Sequence, residues 1–319
     1  MMRSTIGLAI ALVSTVSSHA ESVREQPIEK AAIATLTIPG YADFLVADGD
    51  SVWTTNEGRV ERLSVGSPSP VASVSVPSPC GAMAIGFESL WVADCKSLSV
   101  YRIDLETNKV VSIINTGLAD PGGELSLAVG AGSVWVLTDS KGELARVDPQ
   151  SNKVAARIKV AANSYCAVFG SNSVWITNTG REGSATAGSV QRIDPSSNKV
   201  SARIPVGPEP RFLAANDAGV WTLNQGDGSV TRVDPQSNTV SATMRLGVDG
   251  EGGDIAVGKG RVWVRATKVL LTAIDTANNE TSVVFGPPSG SGAVRVAGDL
   301  VWVTAHDTHK VWVIRADAP

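Results

Sequence analysis

Three observations predict an all-β protein built as a seven-bladed β-propeller, with four antiparallel strands per blade and the last blade closed by an N-terminal strand. A tryptophan recurs in one context, a turn phrase follows most of these tryptophans, and the stretches between are short apolar runs bounded by turn residues. The contexts are SVWTTN at Trp53, SLWVAD at Trp91, SVWVLT at Trp135, SVWITN at Trp175, GVWTLN at Trp221, RVWVRA at Trp263 and LVWVTA at Trp302. Their separations of 38, 44, 40, 46, 42 and 39 residues set a period of about 41 or 42. The turn phrase reads YRIDLETNKV from Tyr101, ARVDPQSNKV from Ala145, QRIDPSSNKV from Gln191 and TRVDPQSNTV from Thr231, with a weaker copy, TAIDTANNET, from Thr272. Its Asp lies 13, 13, 19, 13 and 12 residues after the tryptophan of the same unit.

Taken in chain order, residues 1–20 read as a secretory signal. Arg3 supplies the basic start, residues 6–16 an apolar stretch too short to span a bilayer, and Ser18 and Ala20 the small residues of a cleavage site. Residues 21–31 read as a linker and 32–319 as the propeller. The third unit shows the strand plan most clearly. A first strand at 127–130 meets a two-residue turn, Ala131-Gly132. The tryptophan strand follows at 133–137, a third strand at 144–147 and a fourth at 154–160. The Asp-Pro-Gln-Ser-Asn turn joins the last two: the carboxylate caps its own turn, Pro presets φ, and Asn tolerates the left-handed conformation. Inner strands that are apolar on both sides suit blades packed between two neighbours, and the seven tryptophans read as the wedges between them. The seventh unit ends one strand short. Residues 32–39 resemble a fourth strand and are expected to pair with it, which removes two exposed sheet edges.

Composition narrows the function. The chain has 319 residues, 43% hydrophobic and 18% charged, which excludes a disordered chain, and its mean hydropathy is too low for a multi-span membrane protein. A formal net charge of −4 argues against nucleic acid or anionic lipid as a general partner. Three His and three Cys leave little material for a metal cluster.

The phrase running from Arg192 to Pro208, followed by Gly219 to Asn224, resembles the YVTN-repeat family of bacterial β-propellers. It is also similar to virginiamycin B lyase-like propellers. The resemblance covers roughly residues 32–319, and it implies an exported propeller. Such relatives include binding proteins, redox-enzyme subunits and an antibiotic-cleaving lyase. The lyase likeness implies His residues and a carboxylate from separate blades acting with magnesium; no other cofactor is implied.

The hairpin turn at Phe87-Glu88 sets residues opposite one another when their numbers sum to 175, which matches Cys80 with Cys95. A disulfide is expected there, in a compartment that permits it. Cys166 is left alone and reads as a small core residue.

Loops between blades, and loops after second strands, gather at one end of a propeller channel, where ligands bind. The first set contributes Asp43, Glu124, Tyr165, Arg211 and Asp254. The second contributes Asn56, Asp94, Asn178, Arg181, Asn224, Arg265 and His306. The longest loop of this kind, residues 180–188, accounts for the 19-residue spacing in unit four. Arg211, after Pro208-Glu209-Pro210, could hold an anionic ligand or pair with Asp254 or Asp43. The one His pair, His306-Asp307-Thr308-His309, lacks a third metal ligand in sequence; His306 as a general base with Asp254 or Glu124 is the weak catalytic candidate. Neither Gly130-Ala131-Gly132 nor Gly250-Glu251-Gly252-Gly253 opens a helix, Asp48-Gly49-Asp50 sits on a hairpin turn, and no Gly-x-Ser-x-Gly elbow occurs. The sequence therefore favours an exported, monomeric binding protein for a small molecule or an exported protein partner. The alternatives are a magnesium-dependent lyase and a non-catalytic partner of a periplasmic redox system.

Overall fold

The computed structural model describes residues 23–118, 124–138, 141–180 and 188–318; the expected signal segment lies outside them. Seven antiparallel sheets follow one another around a ring, and each runs from an inner strand at the channel to an outer strand at the rim. The third is typical, with Ser126–Gly130, Ser133–Thr138, Glu143–Asp148 and Lys153–Lys159 in that spatial order. Inner strands end in glycine where the next blade presses close. A Cβ on Gly130 would meet the Phe169 ring at 2.0 Å, and one on Gly86 would meet Val129 at 2.4 Å.

Blade seven contributes Val294–Ala297, Leu300–Ala305 and Lys310–Arg315, and its outer strand is Ala32–Thr37 from the start of the chain. This strand runs antiparallel to Lys310–Arg315, with Leu36 opposite Val311 and Thr37 opposite Lys310. The ring is thus closed by backbone hydrogen bonds between the two ends of the chain.

The stretch read as a linker over 21–31 holds structure in its described part. Glu25–Pro27 lies parallel to Thr281–Gly286 as a fifth strand on blade six, and one helical turn, Ile28–Ala31, leads to the closing strand. Ile28 is the reason: its fully buried side chain packs with Phe285, Leu271 and Trp312, which holds the segment against blades six and seven.

The seven repeated tryptophans are each wholly buried, and each packs into the blade that follows. Trp53 meets Leu90 and Val92 of blade two, and Trp91 meets Val134 and Val136 of blade three. Trp135 meets Val174 and Ile176, Trp175 meets Val220, Trp221 meets Val262, and Trp263 meets Val301. Trp302 completes the circuit against Leu45, Val52 and Leu63 of blade one. An indole of this kind buries on the order of 200 Å², worth roughly 5 kcal/mol before ordering costs.

The turn phrase makes a second seam on the face opposite the channel mouth. Its Arg lies over the tryptophan of its own blade, 4.9 Å from the ring centre for Arg102 on Trp91, 5.1 Å for Arg146 on Trp135 and 5.0 Å for Arg192 on Trp175. The same guanidinium donates to the turn of the next blade. Arg146 reaches the Pro195 carbonyl at 2.8 Å and the Asn198 side chain at 3.0 Å, and Arg192 reaches Pro235 and Asn238 at 2.7 and 2.9 Å. The turn Asn adopts positive φ, 55° at Asn198 and 56° at Asn238. The turn Asp accepts from its own loop, and those hydrogen bonds hold Asp148, Asp194 and Asp234 below the usual carboxylate range.

Cys80 and Cys95 are bonded, with Cα atoms 6.0 Å apart. The hairpin keeps the 175 sum only near its turn, where Ala84 faces Trp91. Further out Pro79 pairs with Asp94, so the cysteines are diagonal neighbours rather than directly opposite. The slip arises because Ala82 leaves the hairpin to pair with Ser126 of blade three, past Gly81 at φ 68°. Cys166 is a free, buried thiol, and burial pushes its pKa up to about 11.

Candidate ligand-binding site

The channel mouth is where the inner strands begin, so the chain entering each blade points its side chains toward one axis. Two cavities adjoin there. The larger, of about 510 Å³, is lined by Tyr41, Asp43, Phe44, Glu57, Glu124 and residues 77–81. The smaller, of about 170 Å³, shares Asp43, Phe44 and Glu124 and adds Arg211, Phe212, Glu251 and Ser291. Deeper in the channel a cavity of about 240 Å³ is lined by side chains that include Leu127, Cys166, Phe169, Leu213 and Ile255, with Arg295 also in its lining.

The structure brings the first set of sequence candidates together. Arg211 pairs with Glu124 at 3.0 Å and stacks over the Tyr165 ring at 4.1 Å. It does not pair with Asp254 or Asp43, the partners weighed from sequence. Asp254 is buried and pairs with Arg295, accepting also from the Val294 and Ile255 backbone. Burial pushes the Asp254 carboxyl upward, with Arg295 opposing. Asp43 is half-buried, and its carboxylate has no hydrogen-bond or ion-pair partner among the described residues. Burial, then the nearby Glu124 and Asp254, push its pKa up to about 7, with Arg265 opposing.

Most of the second set is occupied with holding loops. Asn56 accepts from the Tyr41 and Glu57 backbone and donates to Pro39 and Glu61. Asp94 accepts from the backbone of Ser78, Lys96 and Ser97. Asn178 donates to Ala162 and Ser164, and Asn224 donates to Ser229 and Thr231. Each stands at the end of a second strand and is buried, so its amide or carboxylate stands in for missing backbone partners. Arg265 is fully buried and gives its N–H groups to the carbonyls of Thr304, Ala266 and Ser289. Burial draws its pKa down to about 10. Arg181 and most of the long loop of unit four lie outside the described residues.

His306 comes to the mouth by another route. Tyr41 stacks on it, ring centres 4.0 Å apart, and the phenol oxygen lies 3.2 Å from Nε2. Its Nδ1 approaches Asp307 at 2.8 Å without hydrogen-bond alignment. Burial lowers the His306 pKa, outweighing the pull of Asp307, which favours the neutral ring. Neither Asp254 nor Glu124, the carboxylates weighed as its partners, pairs with it; they pair with Arg295 and Arg211. His309 approaches the Gly40 carbonyl at 2.7 Å.

Sequence reasoning missed Tyr41, Phe44, Glu57, Asp307 and Arg295. Arg295 carried a readable signal, a basic residue inside the apolar inner strand Val294–Ala297. Tyr41 carried none, since its partner is 265 residues away.

Among the described residues no group of three or more His, Cys, Asp or Glu is placed to hold a metal ion. The two His of the mouth loop share one blade and are engaged by Tyr41 and Gly40, so these residues do not fit a magnesium site drawing His from separate blades.

The fold and the mouth define a β-propeller with a polar pocket at one end of its channel, and the comparisons agree on the fold. A chain of the Kuenenia stuttgartiensis hydrazine synthase superposes with a TM-score of 0.72 at 15% identity, covering 88% of this chain and 97% of the other. The structure of U3-55K superposes with a TM-score of 0.72 at 13% identity, covering 89% and 98%. No protein-family model and no curated protein matches the chain.

Proposed function

We propose that the protein is an exported binding protein that takes a small ligand at the channel mouth. The observation that carries this reading is the Asp43 carboxylate, half-buried at the junction of two cavities and without a partner among the described residues, while the neighbouring Glu124 and Asp254 are paired. A group held at that cost in folding free energy fits a site selected for binding. Export is read from residues 1–20, and the Cys80–Cys95 disulfide is compatible with it. No helix among the described residues is long and apolar enough to cross a membrane. The kinship we assign, to YVTN-repeat and virginiamycin B lyase-like propellers, rests on the turn phrases; the Arg-to-turn seam gives those phrases a structural use in any propeller.

The test is a thermal-shift screen of the purified chain against small molecules, with and without a chelator. We expect a rise in Tm that ignores chelation and disappears in the double variant Asp43→Asn, Arg211→Ala. A rise that needs a divalent ion and is lost in His306→Ala would point to the lyase class instead. No rise, with another exported protein co-purifying, would assign the molecule to a protein partner.

A further inference from the structure

The larger mouth cavity has an uneven chemistry. Its described wall carries three carboxylates, Asp43, Glu57 and Glu124, and two aromatic rings, Tyr41 and Phe44, but no Lys, Arg or His. Glu124 is neutralised from the adjoining cavity by Arg211. Asp43 has no such partner among the described residues. The nearby guanidinium of Arg265 spends its N–H groups on three carbonyls, so it offers Asp43 charge without a hydrogen bond.

From this we infer that the larger cavity takes a small organic cation, with the Asp43 carboxylate as its counter-ion and the Tyr41 and Phe44 rings as its walls. The inference rests on the mouth being a ligand site and names the class of ligand. A half-buried carboxylate without a partner is costly, and a ligand cation supplies the charge that the protein leaves out. Aromatic faces attract the same ligand through the ring quadrupole. An anion would enter against Asp43 and Glu57, the two carboxylates of the wall that no described cation pairs, so the wall also discriminates by repulsion. The volume of about 510 Å³ suits a small molecule rather than a bare ion. The wall is pre-organised: residues 77–81 bring two prolines and the disulfide-bonded Cys80 to one side, and the Tyr41 ring is stacked on His306. Burial and the neighbouring carboxylates push the Asp43 pKa up to about 7, so a ligand cation would take the place of a proton there.

Titration calorimetry with choline and benzyltrimethylammonium tests this, against the uncharged carbon isostere dimethylbutanol and the anion dimethylbutyrate. The cations should bind, and the isostere should bind about tenfold or more weakly. Asp43→Asn should lower cation affinity by about tenfold or more while keeping the native near-ultraviolet circular dichroism. Tyr41→Ala should weaken binding where Tyr41→Phe does not. Arg211→Ala, which bares Glu124, should leave cation affinity unchanged or raised. Equal binding of cation and isostere, or an undiminished Asp43→Asn, overturns the assignment. Binding of the anion alone, lost in Arg211→Ala, also overturns it but leaves the mouth as a ligand site. If no probe binds and the wider screen is silent, the assignment and the binding-protein reading fall together.

Discussion

Asp43 is the residue at which binding and stability pull apart. An unfolded carboxyl titrates near about 3.9. In the fold this one is pushed up to about 7 by burial, then Glu124 and Asp254, with Asp307 adding and Arg265 opposing. Tyr41, Phe44 and Glu57 share its cavity. Between those two values the folded state holds the extra proton. Stability contributed by this site is therefore greatest at acid pH, falls as pH rises through the window, and is constant above it. Asp43→Asn removes the ionisation. Compared with the parent by urea unfolding, the variant should gain up to about 4 kcal/mol at pH 8 and little at pH 4. An equal difference at both pH values would contradict the assignment of the titration to Asp43. Little of this was legible in sequence. The loop position of Asp43 could be read, but its isolation depends on Glu124 and Asp254 pairing with Arg211 and Arg295, in other blades. Asn56 and Asn224 misled in the opposite sense: a polar residue at a loop start reads as exposed, yet both turn inward to satisfy buried groups.

At the scale of the element, the inner hairpin of blade two carries one wall of the site. The disulfide spans a separation of 15 residues. In the chain-entropy view, closing a loop of that size removes about 3 kcal/mol of unfolded-state freedom. The paired substitution Cys80→Ser, Cys95→Ser should cost roughly 2–3 kcal/mol, read as a lower Tm in thermal denaturation. Because residues 77–81 wall the larger cavity, the same variant should weaken ligand binding more than a distant substitution of equal cost. The hairpin also shows how far strand arithmetic reaches. Counting from the turn found the right pair of cysteines, because alternation and turn position are local. The diagonal offset came from Ala82 pairing with another blade, which local counting cannot register.

Across the whole molecule the ring is held by contacts between units that are neighbours in space and about one period apart in sequence. One of its joints pairs Ala32–Thr37 with Lys310–Arg315, far apart in sequence. Residues 32–39 supply the outer strand of blade seven and the buried Leu36 and Ile38. Deleting them should lower Tm by more than about 10 °C, since a strand and its apolar face are lost from a cooperative ring. An unchanged Tm would refute closure by this strand. The upstream Glu25–Pro27 strand should remain protected in hydrogen exchange in the intact chain, because its backbone bonds blade six.

The sequence by itself determined the blade count, the strand plan, the tryptophan wedges and the closing strand. Each follows from short-range periodicity and turn chemistry repeated along the chain. Only the tertiary structure decided which polar residues face one another at the mouth: Tyr41 with His306, Arg211 with Glu124, and Asp43 with none among the described residues. Those meetings join residues dozens to hundreds of positions apart, and they are set by how blades pack around the axis. A repeat specifies its own sector and the joint to the next, but the centre of the ring belongs to all sectors at once.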